Sequence, residues 1–310
     1  MRREWLGLVA GMALLVGWYH WDTFWFRWPQ NAVHHFQKHI QQALTRRQVA
    51  FLYTADDLPG RDWMSSRPVL YHGTCSVPGR FGTALHFDGR RRNFAELPYR
   101  WEDLGTSFTL AFWLRLTADS DDQEIMYTRL PRPMGLKLDR GRMSFFSGTG
   151  EQFAAVSYEF TNHDRFVHVA VAVDQSRQEI RLYENGEERA VWRDRTVEPA
   201  GGEMRLGTHD TRTISEPIQG DVDEILIFRR ALEASELTEL ARRPALEAYA
   251  AGPWFGYRVA RGAGYYLQKA LKLFDLFNPL LRVPPAAREQ WPEIGLVLSK
   301  PDGRFFARHH

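Results

Sequence analysis

Three acids within four residues, Asp221-Val222-Asp223-Glu224, are the strongest candidates for chemistry in the chain. On a strand, Asp221 and Asp223 stand at i and i+2 and share one face. Paired carboxyls on one face are what a glycoside hydrolase uses, and retaining hydrolysis sets them about 5–5.5 Å apart. Acids in turns can instead bind calcium through oxygen ligands, and Asp119, Asp121, Asp122 and Asp174 are the candidates for that. His163-Asp164, His209-Asp210 and Ser215 supply the residue types of a nucleophilic triad, but no Gly-x-Ser-x-Gly turn accompanies them. His20 could ligate a haem or chlorophyll-type metal; set among Trp18, Tyr19 and Trp21 without a second ligand, it reads as an interfacial residue. His309-His310 at the terminus is two imidazoles and no site. Cys75 is the single cysteine, which excludes an internal disulfide, a cysteine zinc site and a thiol pair. The expectation is a protein that is not an enzyme and has no resident cofactor, with calcium as the weak alternative.

What must position these residues follows from composition. The chain has 310 residues, 44% apolar and 25% charged, which fits neither a disordered nor a collagen-like nor a polytopic membrane protein. The net charge of +2 hides an asymmetry: residues 1–50 and 245–310 each sum to +4, leaving −6 between them. Basic, aromatic-rich arms around an acidic domain suit a membrane surface or an acidic partner protein. No nucleic acid is expected, because neither a Lys/Arg-rich helix nor a phosphate loop accompanies the charge.

Residues 5–19 contain no charge, and His20-Trp-Asp-Thr-Phe-Trp-Phe26 follows at once. Together they approach the roughly 20 residues of a bilayer-crossing helix. A cleaved signal peptide would place small residues after the apolar run, whereas this chain supplies rings suited to the headgroup level. Residues 1–26 are therefore expected to be a transmembrane anchor, through Trp5, Leu6, Leu14, Leu15, Trp18, Tyr19, Trp21 and Trp25. Arg2 and Arg3 ahead of it keep the N-terminus cytoplasmic and send the main domain to the periplasm or cell exterior, a single-pass topology in the inner membrane. Residues 27–49 are expected to be a juxtamembrane linker helix.

From about residue 50 to 230, apolar and polar residues alternate over short runs separated by Gly, Pro, Asp and Asn. Ser107–Leu116 and Phe166–Asp174 are the clearest strands. Gln178–Glu184 and Glu187–Trp192 flank Asn185-Gly186, a pair that tolerates the positive φ angles of a type I′ hairpin turn. Further strands are expected near 84–87, 123–127, 135–138, 143–146, 153–158, 204–206 and 223–228. Many short strands at this spacing mean an all-β sandwich. Gly207 marks a close backbone approach, and Ala231–Arg243 reads as a short amphipathic helix ending before Pro244.

The pieces Gly82-Thr-Ala-Leu-His-Phe-Asp-Gly89, Ser107–Leu114, His168–Asp174 with Leu182-Tyr-Glu-Asn-Gly186, and Gly220-Asp-Val-Asp-Glu-Ile-Leu-Ile-Phe-Arg-Arg-Ala-Leu232 resemble the bacterial laminin G-like, concanavalin A-like jelly-roll family. The resemblance covers about residues 50–243 and implies a β-sandwich, not a particular activity. Laminarinase-type glucanases share the fold and carry two glutamates four residues apart around an aspartate; Ile225 breaks that pattern here. The resemblance implies instead that Asp221–Glu224 lies on the final strand, its acids capping turns or meeting Arg side chains. It also implies a calcium rim in some relatives, which Arg90-Arg91-Arg92-Asn93 opposes in this chain.

Residues 244–310 form a C-terminal arm. Leu267, Leu271, Phe274 and Phe277 line one face of a helix expected over 254–277, with Lys269 and Lys272 opposite and Asn278-Pro279 as its stop. Tyr266, Leu267, Leu271, Phe274, Phe277, Lys269 and Lys272 are the residues expected to dock on lipid or a partner, the alternative being that the apolar face packs back on the sandwich. The reading is thus a non-catalytic accessory subunit, whose laminin G-like domain mediates contacts within an integral-membrane complex at the lipid bilayer. The alternative is a membrane-tethered lectin stacking a glycan on Tyr99, Trp101 or Trp192, against the view that these rings belong to the core. A glycoside hydrolase centred on Asp223 is the remote third.

Overall fold

The computed structural model describes residues 28–56, 62–90, 92–117, 122–128, 134–149, 152–197, 201–207 and 217–277, the last of these with side chains to 265. The anchor residues, His20, Asp119, Asp121, His209, Asp210, Ser215 and the terminal histidines lie outside them. Among the described residues, no helix is long and apolar enough to cross a membrane.

The chain divides into two units. Residues 28–42 and 250–277 belong to one, and 43–249 to the other. Helix α1 (Trp28–Arg46) begins in the first unit and leads into strand β1 (Val49–Tyr53) of the second. Along the sandwich follow β2 (Leu70–His72), β3 (Cys75–Pro78), β4 (Thr83–Asp88), β5 (Phe94–Arg100), β6 (Phe108–Leu116), β7 (Gln123–Thr128) and β8 (Met134–Asp139). Then come β9 (Arg142–Thr149), β10 (Gln152–Glu159), β11 (Val167–Asp174), β12 (Glu179–Glu184), β13 (Glu187–Arg193), β14 (Glu203–Leu206) and β15 (Gln219–Phe228). Helices α2 (Ala234–Leu240) and α3 (Ala245–Phe277) close the described chain, and α3 breaks its helical geometry at Ala250, ahead of Pro253. The C-terminal helix thus starts earlier than the apolar stripe suggests, because Pro253 falls where a kink already frees the backbone.

The strands form two antiparallel sheets. One runs β13-β12-β11-β6-β15-β4-β3, with β1 also on β15; the other runs β10-β9-β8-β7-β14-β5-β2. Alternation explains why they pack. Phe108, Leu110, Phe112 and Leu114 enter the core between the sheets, as do Val167, Val169, Val171 and Val173 from the neighbouring strand. The Asn185-Gly186 turn has the positive φ angles of its type, 54° and 85°. Gly207 has φ 100°, and a Cβ there would stand 2.8 Å from the Asn93 carbonyl oxygen, the close approach its position in the sequence suggests.

Strands β1, β2, β3 and β5 are additions to the sequence reading. β2 and β3 are too short to show a period, and β5 contains Pro98. β1 earns its place by position. β4 pairs with β15 over residues 219–222 and β1 over 225–228, so the two share one edge of β15, end to end. Asp223 and Glu224 fall at the junction, where β15 bulges against β6 and Glu224 adopts φ 49°.

Candidate functional site

The acids of β15 meet three different structural partners. Val222 and Ile225 point into the core, so Asp221 and Asp223 share the opposite face of the sheet, as their spacing requires. Asp221 is 1% exposed. Its Oδ1 accepts from His86 Nδ1 at 2.8 Å, and its Oδ2 accepts from Arg115 Nε at 2.6 Å. An ionised carboxylate has no proton to give, which assigns the donor role to His86 Nδ1. His86 and Arg115 are adjacent to Asp221 across the β15–β4 and β15–β6 ladders, so sheet register alone brings the three together.

Asp223 is completely buried. Its Oδ2 accepts the Phe81 backbone N–H at 2.9 Å, which ties the β3–β4 turn down onto β15. That turn covers the acid: Phe81 meets the Trp113 ring edge-on at 5.5 Å, and the Arg80 guanidinium lies 5.0 Å from the same ring. Burial pushes the Asp223 carboxyl up to about 7, with the Asp56 charge adding to it against the Phe81 hydrogen bond. The bulge turns Glu224 aside, and its Oε2 accepts the backbone N–H of Ala245, the first residue of α3, at 2.7 Å. Burial also raises Glu224, to about 8, and the neighbouring Asp223 adds to the shift. Such raised carboxyls are a mark of acid catalysts when they line a cleft. Here, each faces a backbone amide beneath covering chain.

On the same outer face, His168 lies beside Trp113, ring centroids 5.4 Å apart. It is 1% exposed with neither ring nitrogen hydrogen-bonded, and burial lowers its pKa to about 3.

The two calcium candidates among the described residues lie at different sheets. Asp122 Oδ1 accepts the Arg140 N–H at 3.0 Å, and Asp174 Oδ1 accepts from the Ser176 and Arg177 backbones at 2.9 and 3.1 Å. Asp122 precedes β7 and Asp174 ends β11, and both serve as turn caps. Among the described residues, no group of three or more His, Cys, Asp or Glu is placed to hold a metal. In the arginine-rich loop, exposed Arg90 lies 3.5 Å from Asp88. His163 packs its ring on Phe160 at 5.5 Å, and Asp164 has φ 61° in a turn.

The expected sugar platforms are corrected. Tyr99 and Trp101 are buried in the core at 8% and 0% exposure. Trp192 is half-buried against the core with Arg195 over its ring at 4.8 Å. Aromatic side chains in short strands and turns resemble platforms in sequence, yet a sandwich of this size needs their area inside. An accessible aromatic pair lies elsewhere: His72 stacks on Phe94 at 4.2 Å where β2 edges its sheet, and Arg205 lies 5.5 Å from the Phe94 ring.

Residues 92–238 match the model of the concanavalin A-like lectin/glucanases superfamily, a laminin G model. The sandwich is therefore a laminin G-like, concanavalin A-like domain. No curated protein matches the chain. Among solved structures, the binding domain of Paraclostridial mosquitocidal protein 1 aligns over 65% of this chain and 52% of its own length, with TM-score 0.53 and 14% identity. Domain 4 of a GH43 extracellular arabinanase from Geobacillus stearothermophilus, in complex with arabinotriose, aligns over 63% of this chain and 98% of its own, with TM-score 0.51 and 20% identity. The botulinum neurotoxin type G receptor binding domain aligns over 63% and 51%, with TM-score 0.53 and 9% identity. The chain spans about half the length of the mosquitocidal and neurotoxin domains. At these identities, the likeness establishes the fold alone.

Proposed function

We propose that this chain is a non-catalytic, membrane-tethered binding module, its laminin G-like domain held outside the inner membrane as a structural subunit of an integral-membrane complex. The observation that carries the non-catalytic part is the engagement of Asp221, Asp223 and Glu224 with, respectively, a His/Arg pair, the β3–β4 turn and the start of α3. A hydrolase needs two carboxyls free to face substrate. The tether rests on the uncharged run at residues 5–19 and the rings that follow it. On α3, Phe255 and Val259 stand 71% and 53% exposed one turn apart, with exposed Arg258 beside them. Apolar residues next to a cation suit the edge of a bilayer or a membrane partner. In mild detergent, the native chain is expected to purify from membranes with stoichiometric partners. Recovery as a salt-extractable lone monomer whose mature chain begins near residue 27 would refute the proposal.

Glycan binding is the second reading. It is supported by the arabinotriose complex of the arabinanase domain, which matches over 98% of its length, and by the accessible His72–Phe94 stack with Arg205. A flat ring beside a charged hydrogen-bond donor suits the apolar face and hydroxyls of a sugar. A glycan array probed with wild type and Phe94→Ala tests it, and binding that survives the substitution removes the site.

A further inference from the structure

His35 and His39 stand four residues apart on α1. Their side chains lie on one helix stripe, as the i, i+4 spacing dictates. The two Nε2 atoms are 3.0 Å apart and the ring centroids 4.3 Å apart. Both histidines are exposed. Metal–imidazole bonds of about 2.0–2.1 Å put two ligand nitrogens about 2.9 Å apart at a right angle and about 3.3 Å apart at a tetrahedral angle. The observed separation lies close to the right-angle value, and with each ring carrying its hydrogen on Nδ1 both Nε2 atoms offer a lone pair at that separation.

We propose that His35 and His39 form a two-imidazole clamp for a divalent first-row transition ion, Cu2+ ahead of Zn2+. The order follows from the Irving–Williams series and from the right-angle geometry, which tetragonal Cu2+ prefers and tetrahedral Zn2+ does not. The same spacing occurs in the His-Glu-x-x-His motif of zinc proteases, but Phe36 stands in the place of the catalytic glutamate, and no third protein ligand joins the pair among the described residues. The clamp is therefore a binding site open to solvent, with water completing the coordination. Asn31 and Gln42, the same-stripe neighbours at one turn on either side, are neutral and exposed, and the nearest fixed charge is exposed Lys38, one turn from His35, whose long side chain can extend into solvent away from a bound cation. The helix carrying the pair is held within its own unit: Phe36, which meets the His35 ring edge-on at 5.7 Å, packs where Gly256 of α3 leaves no room for a Cβ. A ligand pair on an element fixed by packing loses little freedom when the ion arrives.

The full chain in detergent is titrated with Cu2+ and Zn2+ by calorimetry, alongside H35A, H39A, H34A and H309A/H310A, with helix content checked by circular dichroism. The expected result is one ion per chain with Cu2+ tighter than Zn2+, a loss of about tenfold or more in affinity in either H35A or H39A, and no change in H34A or H309A/H310A. Bound Cu2+ should show hyperfine coupling to two imidazole nitrogens in electron paramagnetic resonance, reduced to one in H39A. Binding that is absent in wild type, that persists in H35A/H39A with helix content intact, or that falls equally in H34A overturns the proposal.

Discussion

The Glu224 carboxyl group accepts the Ala245 N–H at 2.7 Å, so a residue held in a β-bulge satisfies an amide at the start of a helix 21 positions later. The first amides of a helix have no partner within it, and an acid is the side chain best suited to fill one. Burying that acid has a consequence for titration.

Glu224→Gln is expected to flatten the pH dependence of stability on the alkaline side. Glu224 titrates near 8 in the folded chain against 4.5 in a free side chain. Below the lower value both states hold the proton and the contribution is complete. Between the two, the folded chain keeps a proton that the unfolded chain releases, so stability falls as pH rises and levels off above 8. Glutamine still offers an acceptor to Ala245 and does not titrate. In denaturant unfolding between pH 6.5 and 8.5, wild type should lose about 2 kcal/mol more than the variant, whose smaller remaining fall comes from Asp223. A parallel fall in both would refute the assignment.

His168 acts in the opposite direction. Its folded pKa of about 3 lies below the ordinary 6.5, so its contribution is complete above 6.5 and is lost as pH drops toward 3. Since neither ring nitrogen has a partner, His168→Leu leaves no bonding group orphaned. The variant should match wild type to within about 1 kcal/mol at pH 8 and exceed it by about 2 kcal/mol at pH 5. Equal effects at both pH values would show that the ring is not held neutral.

Sheet interiors were legible in the sequence where neighbours decide them. β6 and β11 alternate without interruption, and Asn185-Gly186 defines its turn by local φ preference alone. The acids of β15 were legible as lying on the final strand, with turn caps and Arg partners implied by the family resemblance, but not in which residues those partners are. Asp221 finds Arg115 and His86 at separations of 106 and 135 residues, and Asp223 finds Phe81 at 142. Only strand order creates these pairs, and no periodicity encodes strand order. His35 and His39 are the reverse case, since their spacing stood in the sequence on a helix that was itself expected.

The Asp221 cluster should respond unequally to the removal of acid and base. His86 and Arg115 are about a third exposed, whereas Asp221 is 1% exposed. After Asp221→Ala, both partners can turn to water, and solvent screening limits the cost to about 1–2 kcal/mol. After His86→Ala/Arg115→Ala, the carboxylate stays buried without a cation, which costs about 3–5 kcal/mol. Urea denaturation of the two variants tests the order, and a larger loss for the acid variant would contradict it.

Gly256 should show a substitution effect whose sign depends on Phe36. Alanine is the better helix former by about 1 kcal/mol, so Gly256→Ala on an open helix face would stabilise. In this chain a Cβ at 256 meets the Phe36 ring, which must swing away and give up its packing. Gly256→Ala is therefore expected to destabilise the wild-type unit and to stabilise it when Phe36→Ala has already emptied the space. The coupling from the four-variant cycle should exceed about 1 kcal/mol, since the two sites share one contact. Hydrogen exchange of the α1 amides reports it directly: faster in Gly256→Ala than in wild type, and no faster in the double variant than in Phe36→Ala. Additive effects would mean that α1 and α3 do not meet at these residues.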